Sequence, residues 1–160
     1  MLEKTVKESS VIMSHVMMPT DTNPAGNVHG GIIMKHIDNA AGIVAHRHAR
    51  SNVVTASIDR LDFHRPAFVG ELLSFKASLN YVGHTSMEIG VRVEAESLKT
   101  EGIRHIASAY LTFVSLDENH RPKPVPKLKL QSEDEIRRNQ EAIFRMKNRY
   151  SEKQNEKRNS

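Results

Sequence analysis

Cysteine is absent from all 160 residues, which removes both a disulfide framework and a thiol nucleophile. No apolar run approaches the roughly 18 residues that a membrane-spanning helix needs. The opening MLEKTVKESS alternates charges where a secretion signal would carry an apolar centre. These absences lead us to expect a cytoplasmic protein without membrane insertion. Aromatic residues make up 5% of the chain, and none interleaves with the Lys/Arg clusters to form a base-stacking platform. Nucleic acid is therefore not an expected partner, although the net charge is +4; much of that charge lies in RPKPVPKLK and the final segment. The G-x-S-x-G elbow of serine hydrolases is also missing. Among the nine histidines, His46 and His48 are two apart and do not share a helix face, and His29 and His36 lack an obvious third ligand, so no metal is expected.

A hydrophobic fraction of 38% against 26% charged residues suits one ordinary core at this length. Gly30 to His48 predicts the first strong element. At about 100° per residue, Ile33, Ile37, Ala40 and Val44 share one side while Ile32 and Ile43 lie nearly opposite, so this helix should be surrounded by protein. From Asn52 the period becomes two. Val54, Ala56 and Ile58 share a parity that Leu61 and Phe63 then reverse, predicting a bulge near Asp59 or Arg60. Leu73 to Tyr81 and Met87 to Ala95 alternate around the turn VGHT, with Glu88, Arg92, Glu94 and Glu96 outside: a long hairpin. Ile106 to Leu116 is apolar on both parities, as a covered strand should be. With an early strand at Val11 to Met17, the sheet has about five strands, mostly antiparallel, and the class is α+β. Three prolines make residues 121–131 a Pro/Lys-rich linker. Ser132 and Glu135 then read as a capping box. Ile136, Ile143 and Tyr150, with Met146, predict a C-terminal helix with a narrow apolar stripe, frayed beyond Tyr150. The expected division is residues 1–120 as the main domain, the linker, and 132–160 as helix and basic tail.

Two features of the first helix point to chemistry. Asp38 shares a stripe with Gly31, Met34, Ala41, Gly42 and Ala45, and small side chains let a backbone or slender ligand approach. Lys35, one turn earlier, is a candidate ion-pair partner, but it sits at the edge of that stripe, so Asp38 is a candidate base. Glycines at a helix start leave amide N–H groups open to an oxyanion, and Asp21, Thr22 and Asn23 in the preceding loop can orient water or a carbonyl. Gly30 and Asp38 are nevertheless eight residues, or roughly 12 Å of helix rise, apart. One carbonyl cannot meet both within a chain, so a working centre needs two copies with antiparallel helices beside a two-fold axis.

The stretches PTDTNPAGNVHGGIIMKHID, VVTASIDRLDFHRPAFVGE and YVGHTSMEI resemble the hotdog-fold acyl-CoA thioesterases, in the group with an Asn and Asp catalytic pair; the likeness spans about Ser14 to Leu116. The resemblance implies an antiparallel sheet wrapped around a central helix and hydrolysis of an acyl-CoA to free fatty acid and CoA. It further implies catalysis by Asn23 and Asp38 across a dimer interface, and dimers that commonly assemble as hexamers. By the same likeness, Gly30 and Gly31 would polarise the carbonyl, with His29 beside the substrate. Arg60, His64 and Arg65, with the turn Gly83, His84, Thr85 and Ser86, would contact CoA. No cofactor is implied, CoA being part of substrate and product. The alternative is a non-catalytic acyl-CoA sensor of the same fold.

Overall fold

The structure is a computed structural model and describes residues 2–160. Six of its strands and one helix form the body: β1 (Lys4–Thr5), β2 (Val11–Val16), α1 (Gly30–Ala49), β3 (Asn52–Phe63), β4 (Leu72–Val82), β5 (Ser86–Glu96) and β6 (Ile103–Leu116). A short strand β7 (Leu128–Lys129) and the long helix α2 (Glu133–Asn159) follow. The main sheet is antiparallel in the order β2-β4-β5-β6-β3.

α1 lies across one face of this sheet. Its Ile33, Ile37, Ala40, Ala41, Val44 and Ala45 are buried against Leu73, Phe75, Met87, Ile89, Leu111 and Phe113, which project from alternate strand positions. The helix is not enclosed, however. The sheet covers one side only, and Met34 and Ile43 remain 40% and 37% exposed. β3 is likewise an open edge: Val54, Ile58 and Phe63 are exposed rather than turned into the core. Its register slips at Asp59, where the change of parity predicted it, and again at Ala56.

The 121–131 segment is more than a linker, because β7 within it pairs in parallel with β1. Ser132 caps α2: the Glu135 N–H donates to its Oγ (3.1 Å) and its hydroxyl donates to Glu135 Oε2 (3.0 Å). The helix then continues past Tyr150 to Asn159. Its contacts also differ from the expected apolar stripe, since Ile136 and Tyr150 are exposed. α2 docks on the outer face of the sheet mainly through arginines. Arg145 donates to both carboxylate oxygens of Glu88 (2.9 and 2.8 Å) and lies 3.6 Å above the Tyr110 ring. Arg149 pairs with Asp59 and donates to Thr112 (2.8 Å). Glu88, expected to be outside, is thus buried under α2. Among the described residues no helix is long and apolar enough to cross a membrane.

Candidate active site

The loop before α1 is folded around Asn23. Its side-chain Oδ1 accepts the N–H groups of Ala25 (3.0 Å) and Asn27 (3.3 Å), and its backbone bonds Gly26 and Asn27. Gly26 makes this turn at φ +90, a conformation that a side chain would strain. Two donors at Oδ1 fix the orientation of the amide. The Nδ2 group has no partner among the described residues.

The loop delivers the chain to α1, whose N-cap is His29. Gly31 N–H donates to His29 Nδ1 at 2.9 Å, while the Gly30 N–H has no partner among the described residues. Of the two glycine amides expected to polarise a carbonyl, only that of Gly30 is open. A Cβ at residue 30 would meet the Phe63 ring at 3.6 Å, in ordinary van der Waals contact, so packing within the chain does not itself demand glycine here. A cleft of about 300 Å³ opens beside these groups, lined by Asn23, Val28, Ile33, Phe63, His64 and Arg65. Its wall is braced from behind. Val28 N–H donates to Ala67 O (2.8 Å), and Glu71 accepts from Phe68 N–H (2.8 Å) and from Arg104 twice (2.7 and 2.8 Å). The Arg104 bonds hold the Glu71 carboxyl below the usual carboxylate range.

Asp38 sits two turns further along α1. The Thr55 hydroxyl, from β3, donates to its Oδ1 at 2.8 Å. No ion pair to Lys35 forms among the described residues, and no donor reaches Oδ2. The carboxylate is oriented by a neutral donor and keeps one oxygen available. As one polar residue in a strand, Thr55 carries no signal in the sequence until β3 is laid beside α1.

The residues expected to meet CoA fall in three places. His64 and Arg65 line the cleft, and the His64 ring stands 4.8 Å from that of His105. Arg60 is paired with Asp62 at 2.7 Å, on the surface. Gly83, His84, Thr85 and Ser86 are at the other end of the sheet: Ser86 lies opposite Val114, near the start of β3, whereas Phe63 lies opposite Ala107 at its finish. In that turn the carbonyls of His84 and Thr85 accept from Val125 (3.0 Å) and Ser115 (2.9 Å). Among the described residues no group of three or more His, Asp or Glu side chains could hold a metal ion.

Residues 25–101 match the family model described as the thioesterase superfamily. An acyl-CoA thioester hydrolase of Bacillus subtilis, YkhA, itself uncharacterized, is 38% identical over 154 residues, spanning 96% of this chain and 87% of that protein. The chain belongs to the hotdog-fold acyl-CoA thioesterases. Its superfamily fold matches an apo hexameric acyl-CoA thioesterase with a TM-score of 0.92 and 38% identity, over 95% of this chain and 97% of the other. It also matches the acyl-CoA hydrolase of Staphylococcus aureus in complex with butyryl-CoA and CoA, with a TM-score of 0.90 and 33% identity over 98% and 96% of the two chains. Structures of that hydrolase include variants in which an aspartate, an asparagine and a threonine are each replaced by alanine. Those three residues have the same order and separations in their chain as Asn23, Asp38 and Thr55 of this thioesterase superfamily member.

Proposed function

We propose that this protein hydrolyses acyl-CoA thioesters at a centre shared between two copies of the chain. The observation that carries the reading is the state of Asp38: a carboxylate oriented by Thr55 and, among the described residues, paired with no cation, on a helix whose start offers the unpartnered Gly30 N–H and whose preceding loop offers the Asn23 Nδ2 group. Two copies with antiparallel α1 helices bring the Asp38 of one beside the Asn23 and Gly30 of the other. The apolar surface of Met34, Ile43, Val54 and Ile58, open in the single chain, supports such a pairing. The hexamer of the structural relative supports a larger assembly of these dimers.

In this reading Asp38 takes a proton from water, and the resulting hydroxide oxygen attacks the thioester carbonyl carbon. The oxyanion is held by the Gly30 N–H and the Asn23 Nδ2 group. The tetrahedral intermediate collapses with cleavage of the C–S bond, and the departing thiolate takes the proton from Asp38, giving the acid and CoA. His64 and Arg65 at the cleft, with the Gly83–Ser86 turn at the opposite end of the partner's sheet, act on the phosphate-bearing CoA moiety. Free-thiol release from a series of acyl-CoAs tests the function. Turnover by the intact protein and its loss in Asp38→Ala are expected; binding without turnover in the intact protein would replace this reading with that of a sensor.

A further inference from the structure

The geometry points to a second ligand site, on the outer face of the sheet beneath the first half of α2, for a small anion that carries a diphosphate group. It faces away from α1 and does not depend on the proposed hydrolysis. The recess has a volume of about 410 Å³, against roughly 30 Å³ for a water molecule in the liquid.

Two cross-strand rows make its floor. Lys76, Arg92 and Ser108 lie side by side on β4, β5 and β6, and Ser78, Gly90 and Tyr110 form the next row. Serine and glycine leave the middle of the floor low, while α2 supplies Arg137, Arg138 and Arg145 along the wall. Glu141 is the one carboxylate among the lining residues, which include five cations.

The arrangement of these charges is unfavourable for the empty protein. Lys76 and Arg92 are directly opposite each other in the β4–β5 register, and like charges so placed destabilise a sheet. Both turn to a single carboxylate, Glu94: Lys76 forms an ion pair with it, and Arg92 approaches only to 4.0 Å. Arg137 meets Asp134 and Glu141 only at 3.4 Å, on the surface. Arg138 has neither an ion pair nor a hydrogen bond among the described residues. Arg145 alone is fully committed, to Glu88. Four incompletely answered cations around a recess with hydroxyls on its floor suit an anion with several oxygens and more than one charge, which a diphosphate supplies and forked guanidinium groups bind well.

The test is calorimetric titration of the full-length protein with inorganic pyrophosphate and, separately, with ADP, at constant ionic strength. Saturable binding is expected, weakened at least about tenfold by Arg138→Glu, as for loss of one charge-assisted hydrogen bond, and likewise by Lys76→Gln. Equal affinity for the two probes would identify the diphosphate itself as the recognised unit, and tighter binding of ADP a metabolite bearing it. Because Arg138 makes no hydrogen bond or ion pair among the described residues, its variant should fold and retain thiol release. Heats no different from those of sodium chloride, or affinities unchanged in both variants, would overturn the proposal.

Discussion

Replacing Thr55 by valine preserves the branched shape of the side chain and deletes the one hydroxyl that meets Asp38. The bond is 2.8 Å long and its acceptor is a carboxylate. Hydrogen bonds to charged groups contribute about 1.5–3 kcal/mol. Thr55 is exposed in the single chain, so the lower end applies: about 1.5 kcal/mol, or roughly a tenfold change in rate. A group that orients the base without touching the substrate should lower kcat and leave KM nearly unchanged. Thiol-release kinetics should therefore show Thr55→Val with kcat down about tenfold, and Thr55→Ser, which keeps the donor, close to the parent. An undiminished kcat in Thr55→Val would refute the positioning argument. So would a loss as deep as that of Asp38→Ala that serine does not rescue.

Arg145→Ala leaves Glu88, 5% exposed, without its cation. Arg145 keeps some solvent contact, so the cost is set below the buried-pair range, at about 2 kcal/mol, or a thermal midpoint lower by roughly 4–8 °C; an unchanged melt would show that α2 is held by other contacts. Burial lowers the pKa of both His36 and His48. For His36 the stacked His15 ring, 4.1 Å away, and Lys35 act in the same direction, while Asp21 opposes them. A histidine whose folded pKa lies below its unfolded value, about 6.5, contributes stability that is complete above that value and lost as pH falls through the folded pKa. Thermal midpoints should accordingly hold near neutrality and decline on mild acidification, less so in His36→Leu; an identical decline in that variant would contradict the assignment to His36.

The parts of the fold legible in the sequence are those whose apolar residues keep a period or a continuous run. The α1 span, the β4–β5 hairpin and the Asp59 slip follow from side-chain period, and the start of α2 from Ser132 and Glu135. β7 did not show, because two residues in a proline-rich segment have no period. The docking of α2 was hidden for a different reason: the face that packs is built from Arg145, Arg149 and Asn139 around the small Ala142, residues that normally mark a solvated surface. Its continuation to Asn159 likewise carries almost no apolar residue to reveal it. At the site, Asp38 and Asn23 stand out by type and place. The role of Thr55 is a product of tertiary geometry, and the capture of the Gly31 N–H depends on which way the His29 ring turns at the helix cap, neither of which composition or spacing encodes.

Subunit complementation tests the shared centre most directly. Asn23→Ala and Asp38→Ala chains, each inactive alone, are mixed after reversible dissociation and assayed for thiol release. A mixed dimer holds one centre with both residues intact and one with neither, so random pairing should restore about a quarter of the parental activity. Activity no greater than that of either variant alone, with mixed dimers demonstrated by mass spectrometry, would mean that one chain supplies both residues and that the account is wrong.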